Sequence, residues 1–499
     1  MGPREGGGEA VEHLDVVVIG AGISGIGAAT YLRRDHPGRS VAVLESRDAI
    51  GGTWDLFRYP GIRSDSDLYT FGYAFKPWTH DQVIADGASI LEYLHEVVAE
   101  NDLDPLIRYG HRVVGAHWST PQARWCLEVV RSDGTRLELT CSWIFAAGGY
   151  YRYDHGYTPR FDGLERFSGT VVHPQQWPDD LDCSGRRVVV IGSGATAVTL
   201  VPALARTAAH VTMLQRTPTY VMPVPSVDRA AQLLRRMVGD ERTHALMRRR
   251  NIARQRLVWQ ASRRYPTLVR RLIRRANAKA LPAGYPVDVH FNPPYDPWDQ
   301  RLCADPDGEL FAAISQGRVD VVTDTVLRFD ETGVVLGSRA HLDADIIVTA
   351  TGLVVQPMGG FPLTVDGRAI GLPQTLAYKG FMLSGVPNLA YAIGYTNSSW
   401  TLKVGLLCEH WCRLLSLMDV RGAAWVVPEP SDPSMPTRPF LDFGAGYIRR
   451  AVDALPRQGE RWPWQTSMTY RDDVRLIGRG DPGGPELVFG RGEASRDGR

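Results

Sequence analysis

Cysteine is scarce and scattered. The chain has 499 residues and six cysteines, Cys126, Cys141, Cys183, Cys303, Cys408 and Cys412. No two stand as C-x₂-C or C-x₄-C, which excludes a redox dithiol of the disulfide-reductase kind. At this size a disulfide scaffold is not expected either, and buried free thiols in a reducing compartment fit better. Long apolar runs are also missing: none approaches the roughly 20 residues a membrane span needs. Charge of one sign is missing overall, with 56 Lys and Arg against 55 Asp and Glu and a net charge of +1. No global field selects nucleic acid or a membrane. The stretch from Gly2 to Glu12 is polar and Gly-rich, with no apolar core of a signal peptide. A cytoplasmic protein is expected. No internal repeat is visible, and no metal site is expected.

What is present points to nucleotides. A chain this long divides into two or three domains, and 44% hydrophobic with 22% charged residues is ordinary globular composition. Asp15 to Ile19 reads as a buried parallel strand. It leads into Gly20-Ala21-Gly22-Ile23-Ser24-Gly25, a G-x-G-x-x-G loop, and then a helix over Ile26 to Arg34. Glycines there permit a tight turn, close approach of a pyrophosphate and close helix–strand packing, while the helix N-terminus offers free N–H groups to phosphate. A second strand, Val41 to Leu44, ends at Glu45, about 20 residues on, where an acid binds ribose hydroxyls. Gly51-Gly52-Thr53-Trp54 follows, then Tyr59-Pro60-Gly61 and Asp65.

A second loop repeats the design. The strand Arg187 to Ile191 runs into Gly192-Ser193-Gly194-Ala195-Thr196-Ala197 (G-x-G-x-x-A), then a helix over Val198 to Arg206. The strand Val211 to Leu214 ends in Gln215-Arg216-Thr217. An acid there would repel a 2′-phosphate, whereas an arginine pairs with one, so NADPH is expected over NADH. The alternative for Arg216 is an exposed strand-end cation. Strand endings at Ala146-Ala147-Gly148-Gly149 and Thr349-Ala350-Thr351-Gly352 fit crossings between two nucleotide domains. The fold class expected is α/β, with two Rossmann-like domains and a helical insertion.

Between the loops stands F-x-G-x-x-x-H-x-x-x-W-P: Phe167, Gly169, His173, Trp177 and Pro178. Together with G-G-x-W-x-x-x-x-Y-P-G-x-x-x-D over Gly51 to Asp65, it resembles the Baeyer–Villiger monooxygenases, flavoenzymes that insert one oxygen atom beside a ketone carbonyl. The likeness runs from about Leu14 to Gly480 and is strongest to the actinobacterial thioamide-activating members. It implies FAD in the first site, held by Gly20, Gly22, Gly25, Glu45, Gly52, Thr53, Trp54, Asp65 and Asn397. It implies NADPH in the second, held by Gly192, Gly194, Thr196, Ala197, Gln215, Arg216 and Thr217. Arg301, in the Pro- and aromatic-rich loop Phe291 to Cys303, is implied to stand over the flavin as a catalytic residue, with Asp65 orienting it. Without the resemblance, Arg301 reads as a partner of Asp299 or Asp305, and Asp65 as a helix cap. Many cyclic-ketone enzymes have Lys-Arg where this chain has Gln300-Arg301, which moves more of the phosphate binding to Arg216. His173 is implied to serve domain motion and NADP positioning rather than proton transfer.

The expected substrates are a small-molecule ketone, or a thioether or thioamide, with molecular oxygen. The rival readings are a flavin-containing N- or S-monooxygenase and a non-catalytic flavin/NADPH-binding protein. The first usually lacks the Trp177-Pro178 ending. The second would need neither Asp65 nor Arg301. The expected domains are 14–150 with 380–480 for FAD and 151–223 with 291–379 for NADP. Residues 224–290 are expected as a helical insertion, and 1–13 and 481–499 as flexible tails. The insertion is dense in arginine. Two readings stay open for it, a solvated cover over the substrate site, which is favoured, and peripheral contact with anionic lipid. Nucleic acid is not expected, since no binding fold accompanies the charge.

Overall fold

Continuous apolar runs become central parallel strands because both faces of such strands are covered. In the computed structural model, which describes residues 11–441 and 444–492, the strand Glu12–Ile19 lies between Val41–Leu44 and Arg136–Ala146, parallel to both. An antiparallel meander, His111–Ser119 to Arg124–Arg131 to Arg136–Ala146, extends this sheet on one side. Leu389–Tyr391 returns to pair with Arg136–Ala146, so the first domain is discontinuous in sequence.

The second sheet has five strands, all parallel, in the order Val319–Thr323, His210–Gln215, Arg187–Ile191, Ile346–Thr349, Thr170–Val172. Its first nucleotide strand, Arg187–Ile191, is central, so the order reverses beside the second glycine loop. That is the crevice in which doubly wound sheets bind ligands. Thr170–Val172, from the linker motif, closes one edge. The two expected Rossmann-like halves are both present.

The insertion comprises three longer helices, Arg229–Val238, Asp240–Arg264 and Pro266–Ala280, and a short one, Val287–His290. It leaves and re-enters through two neighbouring parallel strands, Val221–Val224 and Cys303–Pro306, which holds its ends together.

Three boundaries differ from expectation. Leu363–Val365 and Arg368–Ile370, expected in the NADP domain, form a hairpin that pairs with His111–Ser119 in the first sheet. Leu487–Gly490, expected in a flexible tail, pairs with Trp425–Pro428 and buries Leu487. Glu12 and His13 likewise belong to a strand. Residues 1–10 and 493–499 of the expected tails lie outside the described residues. Just after Asn397 a helix runs from Trp400 to Arg421. Its buried apolar face continues through Leu414, Leu415 and Met418, and Gly422 at φ 59° ends it. All six cysteines are free. No helix among the described residues is long and apolar enough to cross a membrane.

Candidate active site

The first glycine loop closes tightly. A Cβ on Gly25 would stand 1.8 Å from the Gly20 carbonyl oxygen, so only glycine lets the helix Ile23–Asp35 start this close to its strand. No side chain caps that helix at Gly22, which leaves its N–H groups facing the cavity. The buried Glu45 carboxylate accepts from the Ala21 and Arg47 amides at 2.8 and 2.9 Å. It ties the end of Val41–Leu44 to the loop. Gly52 abuts Gly22, so a Cβ on Gly52 would come within 3.2 Å of the Gly22 Cα.

Gly20, Gly22, Glu45 and Gly52 line one cavity of about 590 Å³, together with Thr53, Trp54, Asp65, Thr196 and Arg301, while Gly25 packs behind it. Trp54 meets Phe71 edge-on at 5.6 Å. The cradle of glycine backbone, uncapped helix start and strand-end acid fits the pyrophosphate and ribose of a dinucleotide. The volume is that of a small-molecule site.

Asp65 and Arg301, 236 positions apart in sequence, meet on this cavity wall, with Arg301 Nε 3.4 Å from Asp65 Oδ2. The arginine side chain is 37% exposed and the aspartate 28%, and both line the cavity. Among the described residues Arg301 donates no aligned hydrogen bond, so its fork of N–H donors is free for a ligand. The Asp65 carboxylate pushes the Arg301 guanidinium above its ordinary range, against the opposing pull of burial. The competing partners are engaged elsewhere. Asp299 pairs with Arg263 at 2.9 Å, and Asp305 accepts from the Leu310 amide at 3.0 Å. Asp65 caps no helix; Asp67 does that for Leu68–Phe71.

The second loop needs glycine as well. Gly192 has φ 139°, and a Cβ there would meet the Ala350 carbonyl at 2.2 Å. The helix Ala195–Leu204 starts at Gly194 without a side-chain cap, and Ala197 is fully buried in the packing position of a third glycine. Arg216 is exposed and forms no ion pair among the described residues. Thr217 accepts from the Ser193 hydroxyl at 3.1 Å through its carbonyl. Gln215 turns away from the loop: its amide donates to the His290 carbonyl and to Thr323 at 2.8 and 2.9 Å. Its side chain braces the domain, contrary to expectation.

The linker motif is a structural joint. Phe167 is buried against Val189, Ile191, Leu214 and Phe329, and Trp177 packs on the core of the second sheet. Pro178 is exposed. Gly169 leaves room for Phe167 and for the Asp345 carbonyl. His173 is bonded at both ring nitrogens. Nε2 lies 3.1 Å from the Gly352 carbonyl, and Nδ1 accepts from the Gln175 amide at 3.1 Å. Burial pushes its pKa down. A neutral ring in this position ties the linker to the crossing at Gly352.

Asn397 is not in the cavity lining; its amide donates to the Met468 carbonyl at 3.1 Å. Trp400 takes the wall position instead, donating to Ser24 Oγ at 2.9 Å and stacking on Tyr150 at 5.0 Å. Tyr150 and Tyr151, whose hydroxyls lie 2.7 Å apart, are wall residues that sequence reasoning missed. Their position directly after Gly148-Gly149 was the available signal.

A flavin-binding monooxygenase-like family profile matches residues 74–268, and an NAD(P)-binding Rossmann-like domain profile matches residues 18–80. The chain is 52% identical over 470 residues to the FAD-containing monooxygenase EthA of Mycobacterium tuberculosis, covering 94% of this chain and 96% of that protein. It is 49% identical to EthA of Mycolicibacterium smegmatis, covering 93% and 95%. Among solved structures, a steroid monooxygenase bound to NADP superposes with a TM-score of 0.76 at 23% identity, over 96% of this chain and all of that one. A cyclohexanone monooxygenase from Rhodococcus bound to NADP⁺ gives 0.74 at 20% identity, over 97% of this chain and all of that one. These two likenesses speak for the fold. With half of its residues identical to curated FAD-containing monooxygenases over nearly its whole length, and two dinucleotide loops facing one cavity, the chain belongs to the flavin-binding monooxygenase family and is an FAD-containing, NADPH-dependent monooxygenase.

Proposed function

We propose that this monooxygenase carries out Baeyer–Villiger oxygenation, converting a ketone, O₂, NADPH and a proton into an ester or lactone, NADP⁺ and water. One C–C bond beside the carbonyl and the O–O bond of dioxygen break, two C–O bonds form around the inserted oxygen atom, and the second oxygen atom leaves as water. The observation that carries this reading is the Asp65–Arg301 pair on the wall of the cavity that both loops approach. Bound FAD, reduced by NADPH, supplies the activation of dioxygen.

The protein's own part is electrostatic. Arg301, kept cationic by Asp65, presents fixed donors where negative charge develops on oxygen in the transition state. Because the pair is assembled before reaction, little reorganisation is needed. Gly20, Gly22, Gly25, Glu45, Gly52, Thr53 and Trp54 seat the flavin nucleotide. Gly192, Gly194, Thr196 and Ala197 shape the NADPH site, and Arg216 takes the 2′-phosphate. His173, neutral and bonded at both nitrogens, positions the linker and transfers no proton. The Trp177-Pro178 ending favours this chemistry over N- or S-oxygenation alone, while a thioether or thioamide remains within reach of the same activated oxygen.

Product analysis with ¹⁸O₂ and NADPH tests the reading, using FAD-loaded protein and a linear ketone, a cyclic ketone and an aryl thioether. A labelled ester or lactone is expected. Labelled sulfoxide with no ester would replace the assignment by heteroatom oxygenation.

A further inference from the structure

The insertion is charged unlike the rest of the chain. From Arg242 to Val287 there are thirteen Arg and Lys residues and no Asp or Glu, although the whole chain nets only +1. The remainder is therefore acidic overall, and this positive charge is gathered on two helices, Asp240–Arg264 and Pro266–Ala280. Part of it serves the fold. Arg248 donates to the Tyr69 and Gly72 carbonyls at 2.9 and 3.0 Å, Arg263 pairs with Asp299 and Arg274 with Asp288. Arg254, Arg264, Arg271, Arg275 and Lys279 are exposed and form no ion pair among the described residues.

The same helices turn apolar side chains outward. Around the elbow where Asp240–Arg264 gives way to Pro266–Ala280, Leu257 is 66% exposed, Tyr265 58%, Leu268 50% and Leu272 54%. Leu233 and Met237, one turn apart on the preceding helix, are 62% and 72% exposed. Nine of the fifteen exposed large hydrophobics among the described residues lie in 224–290, so this is a concentration and not the ordinary scatter of surface leucines. The inward face of the long helix is the polar one, burying Thr243, His244, Asn251 and Ser262 beside Met247. A helix that only covers a core does the reverse.

We propose that this elbow is an interfacial anchor that seats on an anionic phospholipid bilayer. The leucines and Tyr265 enter the boundary between headgroups and acyl chains, and the free arginines meet the phosphates. That surface takes both features at once. Nucleic acid would use the cations and leave the leucines in water, and a second copy would bring the same positive charge against itself. The anchor holds whichever substrate the site oxygenates.

Sedimentation of the FAD-loaded enzyme with vesicles tests this. Vesicles of equal parts phosphatidylglycerol and phosphatidylcholine should retain the enzyme, less so as salt rises, and pure phosphatidylcholine should retain little. Replacing Leu257, Leu268 and Leu272 together by Gln should weaken retention roughly tenfold or more. Arg264→Glu with Arg271→Glu should do the same. NADPH oxidation without vesicles should stay unchanged in both, since these side chains point to solvent. No retention on the anionic vesicles overturns the proposal. So does undiminished retention of the leucine variant, or a wild-type dimer that the leucine variant dissociates.

Discussion

Arg301 Nε lies 3.4 Å from Asp65 Oδ2 on the wall of the cavity, and among the described residues no other acid pairs with the guanidinium. If this pair stabilises charge on oxygen, then Arg301→Ala should keep NADPH-driven flavin reduction and lose oxygenated product. Loss of one positioned donor at a developing oxyanion costs roughly 10²–10³ in rate. Stopped-flow flavin bleaching beside product yield separates the two half-reactions. A variant that still forms product at the wild-type rate would remove Arg301 from the chemistry.

Arg216 sits exposed at the end of His210–Gln215 with no protein partner among the described residues. On the proposed reading its guanidinium pairs with the 2′-phosphate that distinguishes the two nicotinamide cofactors. Arg216→Ala should weaken NADPH binding roughly 10- to 150-fold, the equivalent of about 1.5–3 kcal/mol for a charge-assisted contact, and leave NADH nearly unchanged. An unaltered preference measured as KM for both cofactors would move phosphate recognition elsewhere.

Strand bounds were legible in local patterns, and most contacts set by distant packing were not. Val41–Leu44 and Arg187–Ile191 have the bounds that their apolar runs suggest, because buried parallel strands are bracketed by residues that cannot share their environment. Both helices after the glycine loops begin three residues earlier than expected, at Ile23 and Ala195. Low helix propensity hid the first turn, where the need for close approach to the strand outweighs propensity. Gln215 and Asn397 sit beside the right elements, yet their side chains are claimed by His290, Thr323 and Met468. No sequence spacing reports such contacts. The acid beside Arg301 follows from the resemblance and not from spacing: Asp299 is two positions away, but the fold gives it to Arg263 and brings Asp65 from the other domain.

His244 is buried in the insertion, where Nδ1 accepts from the Trp78 amide at 3.2 Å and Nε2 has no partner among the described residues. Burial, reinforced by the nearby Arg248 charge, lowers its pKa from 6.5 to about 4. The folded state therefore holds the neutral ring while the unfolded chain takes up a proton, so stability falls as the pH drops from 6.5 towards 4. The effect approaches about 3 kcal/mol at the lower end. His244→Asn keeps an acceptor for Trp78 and removes the titration, so its Tm should fall less steeply over that window. Parallel Tm profiles for the two proteins would show this, and identical slopes would assign the acid sensitivity to other groups.

Asp67 stands two positions after Asp65 and is the point where the insertion grips that segment. It caps Leu68–Phe71, accepting from the Thr70 amide at 3.1 Å and the Thr70 hydroxyl at 2.9 Å. It also accepts from Asn251 Nδ2 at 2.8 Å and Gln255 Nε2 at 3.1 Å, both on the long insertion helix. Asn251→Ala should cost about 1–3 kcal/mol by leaving a buried carboxylate short of a donor. Asn251→Asp should cost more, because it sets a second carboxylate against the first in a dry site. If the insertion also keeps Asp65 aimed at Arg301, both variants should consume NADPH with more hydrogen peroxide and less oxygenated product, in the same order as their loss of Tm. A fall in Tm with unchanged coupling would mean that Asn251 holds the two domains together without steering the pair, and that the Asp65–Arg301 geometry is set by the cavity wall alone.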